Sequence, residues 1–239
     1  MNSNAARENY SRSQRKEIQF NGNRKEIEIK ERKLSFKLYG RHTSGNTFKT
    51  RLALSLMEVP YEFVVIDRKG HILQRTPDLM RGNPRGLIPK LETQEGLIRW
   101  DSAAILVYLA RRFGGEKWLP SDPAGMSEVM QWLALAGNEV LFGVAYSRSI
   151  TAGRRQGDLE KTQELGHMAL RTMEYRLSQN EWLALDRITI GDCACFPHVA
   201  VCHEGGISLS EYPGISHWID RIMALPNYIE MPGAGRKSA

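Results

Sequence analysis

Three short stretches of this sequence carry side chains able to do chemistry together. The first, Arg41-His42-Thr43-Ser44-Gly45-Asn46-Thr47, joins an alternating strand-like segment to a helix-like one. Such a loop sits at a helix N-terminus, where unsatisfied N–H groups and the helix dipole favour an anion. Its hydroxyls and amide suit donation to a bound thiolate. Lowering a thiol pKa by two units takes about 2.7 kcal/mol of preferential stabilisation, within reach of one or two charge-assisted hydrogen bonds plus a helix end. The same residues would also serve simply as a helix cap. The second stretch is Gly86-Leu87-Ile88-Pro89-Lys90-Leu91, where a proline enters a strand and forfeits a ladder donor. The third is Asp101-Ser102 at a helix start, a pair suited either to the helix dipole or to the head group of an α-amino acid.

The elements around these stretches form a recognisable order. Leu34 to Tyr39 alternates and meets Gly40, Thr47 to Met57 reads as a helix ended by Val59-Pro60, and Tyr61 to Ile66 reads as a second strand. A polar loop, a short helix from Thr76 to about Arg81, and a hairpin across Gln94-Glu95-Gly96 follow. Asp101 opens a helix to about Phe113. Strand, helix, strand, helix, strand, strand, helix over residues 34–113 is the order of a thioredoxin-like layer. After the turn-rich linker 114–124, residues 125–233 read as helix throughout: Ser127 to about Arg155, Asp158 to Ser178, Asp192 to His203 and Gly214 to Leu225. The expected fold is therefore α/β plus all-α: a thioredoxin-like domain followed by a helical bundle.

These motifs and their order resemble the glutathione transferases. In the first domain the resemblance rests on Leu38-Tyr39-Gly40, Ser44-Gly45-Asn46, the run Asn83 to Glu92, and Trp100 to Leu109. In the second it rests on Thr189-Ile190-Gly191-Asp192, an expected capping box, with Glu204-Gly205-Gly206-Ile207, Tyr212-Pro213, Trp218 and Leu225-Pro226. The resemblance implies a cis Pro89 that turns the Ile88 main chain toward the cysteinyl unit of glutathione. It implies that Asp101 and Ser102 hold the γ-glutamyl end. It makes Gln74 and Arg75, with His71 a further candidate, partners of the glycine carboxylate. Ser44 and Asn46 are the candidates for thiolate stabilisation, with Thr43 and Thr47 as rivals. No cysteine stands in this loop, which separates the chain from the cysteine-type members.

The resemblance further implies a cytoplasmic homodimer that uses glutathione as co-substrate, with no resident cofactor. The expected reaction is of the detoxification kind, conjugation to a hydrophobic electrophile or reaction with a peroxide. Glutathione-dependent disulfide or peroxide reduction is the alternative among enzymes, and a non-catalytic binding or regulatory protein the alternative outside them. No metal site is expected: Cys195, His198 and Cys202 share one helix face but read as core.

Composition narrows the field. The chain has 239 residues, 41% hydrophobic, and a net charge of +6. Residues 1–33 hold nine basic against five acidic residues and read as a polar, disordered extension, leaving the body nearly neutral. A nucleic-acid partner is therefore not expected. Three cysteines make no disulfide framework and suggest a reducing compartment. No apolar run approaches the ~20 residues of a membrane span.

Overall fold

The computed structural model describes residues 36–69, 72–73 and 75–234. The basic segment 1–33, His71 and Gln74 lie outside the described residues. The first domain runs β1 (Phe36–Gly40), α1 (Gly45–Leu56), β2 (Tyr61–Val65), β3 (Arg68–Lys69), β4 (Ile72–Leu73), α2 (Pro77–Met80), β5 (Lys90–Glu92), β6 (Ile98–Arg99) and α3 (Ser102–Leu109). Its main sheet has the order β2-β1-β5-β6. β1 and β2 are parallel, from Phe36 opposite Tyr61 to Gly40 opposite Val65. β5 runs antiparallel to β1 and to β6. The antiparallel pair β3–β4 falls where the sequence reads only as a polar loop.

Alternation along β1 divides its side chains between two faces. Phe36 and Leu38, with Leu91 of β5, pack under Phe48 and Leu52 of α1 and Ile105, Leu106 and Leu109 of α3. Tyr39 faces the other way, with Ile66 and Leu79. Fully burying each such Leu or Phe contributes roughly 1.5–3 kcal/mol, so this two-sided core fixes the sheet. The short α2 is tied to it by polar contacts. Lys90, wholly buried, donates to the Asp78 carbonyl and, at 3.3 Å, to the Arg81 carbonyl, and its ammonium sits 4.1 Å from the Tyr39 ring centroid. Arg81 Nη2 bonds both oxygens of Glu92 at 2.8 Å, which holds that carboxyl below its ordinary pKa.

The second domain comprises α4 (Pro123–Gly137), a wide π-type turn at Val140–Ala145, α5 (Tyr146–Thr151), α6 (Leu159–Leu177), α7 (Ile190–Val199) and α8 (Pro213–Met223). The continuous helix expected from Ser127 to Arg155 is thus broken. Gly137-Asn138 has poor helix propensity, and Asn138 leaves helical geometry at φ −116°, ψ −98°. The turn that follows lies close against α6: a Cβ on Gly143 would come within 2.3 Å of the Gly166 amide nitrogen. The helix expected to reach Phe113 likewise ends at Leu109 and passes into a π-type turn, Ala110–Gly114.

The expected capping box is present. Thr189 N donates to Asp192 Oδ2 at 2.8 Å and Gly191 N to Thr189 Oγ1 at 3.2 Å. Asp192 is fully buried and also accepts from Leu183 N and Trp218 Nε1 through Oδ1, at 3.1 and 2.9 Å. All ten residues of α7 are buried, so this helix forms the axis of the domain. It packs against both α4 and α1, which brings its C-terminal end to the N-terminus of α1. Among the described residues no helix is long and apolar enough to cross a membrane.

Candidate active site

The loop after β1 closes as a turn, Ser44 N donating to the Arg41 carbonyl at 3.2 Å, and Ser44 then caps α1. The Ser44 Oγ accepts from Thr47 N at 3.2 Å. Its acceptor side is therefore used, while its own proton has no acceptor among the described residues. An amide donating into a hydroxyl polarises the O–H for onward donation. Thr47 is fully buried beneath the loop, its Oγ1 accepting from Arg41 N at 3.4 Å. It fills the space that a side chain on Gly40 would need. Thr43 is exposed.

Two cavities meet at this loop, and Ser44 and Asn46 line both. The smaller, about 320 Å³, has Ile88, Pro89, Asp101 and Ser102 in its wall. The larger, about 800 Å³, opens toward the second domain and includes Thr43 and His198. Thr47 lines neither. Of the four loop candidates, the structure brings Ser44 and Asn46 to the junction.

The Ile88–Pro89 peptide is cis, as the resemblance implies. The turn before it is pinned by Asn83, which is buried and donates through Nδ2 to the Leu87 carbonyl at 2.8 Å. Ile88 lies just beyond the β1–β5 pairing, and its N–H and C=O have no backbone partner among the described residues. It is an open edge onto which an extended peptide could add main-chain bonds. Asp101 caps α3 by accepting from Ala103 N at 3.0 Å. It also accepts from the Ser102 hydroxyl at 3.3 Å and from Arg85 Nη1 at 3.2 Å. Half-exposed, it combines the cap with an open carboxylate edge. Arg75 is exposed, packs beside Gly86, and lines neither cavity.

Several residues at the junction come from the second domain. Tyr146 lies on a helix whose apolar residues the sequence offers as core, interface or pocket lining without choosing among them, and nothing in the sequence assigns His198 to the site. His198 Nε2 lies 3.1 Å from Asn46 Oδ1. Gly45 makes this approach possible, since a Cβ there would fall 2.4 Å from His198 Cε1. Burial, reinforced by the nearby charges of Lys49 and Arg148, drives the His198 pKa well below its ordinary value. With the Asn46 Oδ1 as acceptor, Nε2 carries the proton and donates, and the Asn46 amide group, which has no acceptor among the described residues, can donate into the junction. Tyr146 lines both cavities, with the Arg155 guanidinium 3.8 Å from its ring centroid. The signal for these groups is faint: a basic run, Arg148 to Arg155, at a helix end, and a histidine on an otherwise apolar face. The cysteines beside His198 are spent on packing. Cys195 Sγ donates to the Trp132 carbonyl at 3.6 Å and Cys202 Sγ to the Ile207 carbonyl at 3.4 Å, and burial pushes both thiols up to about 12.

Comparison with known proteins places this geometry in a family. Residues 43–112 match the model of the glutathione S-transferase N-terminal domain, and residues 139–226 that of the C-terminal domain. A crystal structure of a glutathione S-transferase from Pseudomonas fluorescens is 34% identical, with a TM-score of 0.75 over 82% of this chain and 98% of that one. Glutathione S-transferase GstB of Escherichia coli is 27% identical over 79% of this chain and 93% of its own length. Disulfide-bond oxidoreductase YfcG, also of E. coli, is 28% identical over 76% of this chain and 87% of its own. The chain belongs to the glutathione S-transferase family, with a thioredoxin-like N-terminal domain and a helical C-terminal domain.

Proposed function

We propose that this enzyme activates glutathione as a thiolate and conjugates it to an electrophilic small molecule. One observation carries the reading: Ser44 and Asn46 stand where the two cavities meet. Glutathione would lie along the smaller one, its cysteinyl unit paired with the Ile88 main chain and its γ-glutamyl end against Asp101 and Ser102. Its sulfur would then reach the Ser44 hydroxyl, the Asn46 amide and the head of α1. These donors stabilise S⁻ over S–H, and the released proton passes to solvent. The thiolate attacks an electrophilic carbon held in the larger cavity. A C–S bond forms as the bond to the leaving group breaks, and the leaving group keeps the bonding pair.

Glutathione is a substrate in this scheme, and no protein nucleophile is required. We further infer a homodimer, about twice 27.2 kDa in mass, in a reducing compartment such as the cytoplasm, where three buried free cysteines are at home. The test is retention on immobilised glutathione followed by turnover with an activated aryl chloride. Disulfide exchange is the second reading, favoured by the likeness to a disulfide-bond oxidoreductase. In that reaction the thiolate attacks a mixed disulfide, forms a new S–S bond and expels the other thiolate. Faster turnover with mixed disulfides than with aryl chlorides selects it.

A further inference from the structure

The larger cavity has a charge that a purely apolar co-substrate would not use. Arg41, Arg148 and Arg154 line it, with Asp67 its lone acidic side chain among the described residues. Leu141, Ala145, Tyr146 and Ala152 supply an apolar wall opposite. The three guanidinium groups come from different segments: Arg41 from the loop after β1, Arg148 from α5, Arg154 from the turn beyond it. Compensation of a helix C-terminus accounts for Arg154, which follows α5. It also covers Arg148, in the last turn of α5, but it does not account for Arg41, in the other domain.

Arg148 is held in place. Its Nε donates to Glu204 Oε2 at 2.7 Å and its Nη1 reaches the Thr43 carbonyl at 3.5 Å. Its side chain is 14% exposed. A guanidinium fixed through Nε and Nη1 keeps its Nη2 donors for something else, and little of its orientation entropy remains to be lost. Covering the Arg148 group with a neutral apolar molecule would strip its remaining water without replacement. A carboxylate offers its Nη2 donors an acceptor instead.

We propose that the second substrate is an electrophile with an apolar body and a carboxylate or similar anionic group, and that Arg41, Arg148 and Arg154 select it. The electrophilic carbon then faces Ser44 and Asn46, and the anion points away from the thiolate, so that two negative charges are not pressed together. This rests on the reading of Ser44 and Asn46 as the anchor of the glutathione sulfur.

The experiment compares a chlorodinitrobenzoate with its methyl ester, each kcat/KM divided by the uncatalysed rate with glutathione, in the wild type and in Arg41→Gln/Arg154→Gln. Arg148 is left in place because it bridges Glu204 and Thr43. The wild type is expected to favour the carboxylate at least about tenfold, the range for a charge-assisted contact. The double variant should bring the ratio close to one, and Arg41→Lys/Arg154→Lys should recover part of it. Glutathione affinity, measured by calorimetry, should stay within about twofold, since these arginines hold no part of glutathione in the scheme.

An equal preference in the wild type, or a preference that survives in the double variant, overturns the proposal. So does a fall in glutathione affinity as large as the fall in carboxylate preference, which would make these arginines the partners of glutathione's own carboxylate. If neither compound is turned over, thiol transfer is what fails. Calorimetry with unreactive dinitrobenzoate then decides the anion site: binding that weakens tenfold in the double variant supports it, and equal binding refutes it.

Discussion

His198 and Asn46 are joined across 152 residues by a 3.1 Å hydrogen bond, so a side chain of the helical domain sets the rotamer of a side chain at the head of α1. The acceptor oxygen of Asn46 is engaged and its amide is left as a donor at the cavity junction. Neither domain alone has the complete arrangement. The His198 Nδ1 is buried with no hydrogen-bond partner among the described residues, a cost set against the hold of the other nitrogen on Asn46.

Replacing His198 by Ala should lower kcat about 2- to 10-fold, the size of one ordinary hydrogen bond. KM for glutathione should change less, because the bond acts through Asn46 and not on glutathione's peptide groups. His198→Gln, which can still donate to Asn46 Oδ1, should recover part of the loss. Steady-state kinetics on the three proteins checks this.

Stability should fall as pH drops below about 6.5, the ordinary histidine value. The native His198 pKa lies well below that, so between the two values the unfolded chain binds a proton that the native chain does not. The loss is up to about 1.4 kcal/mol per pH unit, and none of it is present above 6.5. Urea unfolding at several pH values should show this slope in the wild type and a shallower one in His198→Gln.

Lys49 is 3% exposed and its ammonium has no hydrogen-bond or ion-pair partner among the described residues. Burial brings its pKa from 10.5 down to about 8. Lys49→Met should therefore stabilise the fold at pH 7, by on the order of 3 kcal/mol at most. The sign with pH is definite. The cost of burying the charge is complete below pH 8 and fades as pH rises toward 10.5, so the advantage of the variant should fade over that window. Denaturant melts at pH 7 and pH 10 measure it.

Asp101→Ala should weaken glutathione binding by roughly 1.5–3 kcal/mol, as expected for a contact to a charged group. It should also cost about 1 kcal/mol of stability, because the same carboxylate caps α3. Calorimetry and thermal melts separate the two. Lower stability with unchanged affinity would leave Asp101 as a cap only.

Much of this arrangement is legible along the chain because it is local. The strand alternation at Phe36 to Gly40, the proline entering β5, the acid at the start of α3 and the Thr189–Asp192 capping box are each read from neighbours a few residues apart. What is not legible depends on distant pairing. His198 reads as core because its helix is apolar on every side, and only the fold shows that its outer nitrogen meets Asn46. Arg148 and Arg154 stand in a segment that reads only as the end of a long helix, and it is the break at Asn138 and the π-type turn that bring Arg148 to the loop after β1. The break itself hides in an apolar pattern whose periodicity continues through it. Hydrophobic pattern reports which residues are buried, and much less where a helix changes direction.

The central claim is that the loop before α1 lowers the pKa of the glutathione thiol, and the most direct measurement is the ultraviolet thiolate absorbance of bound glutathione against pH in the wild type and in Ser44→Ala. The wild type should titrate well below free glutathione. The variant should titrate about one to two pH units higher, with a turnover loss of about 10- to 150-fold near neutral pH and a smaller change in glutathione affinity. An identical titration in both proteins would contradict the role given to Ser44, and a wild-type titration equal to that of free glutathione would contradict thiol activation by this loop altogether.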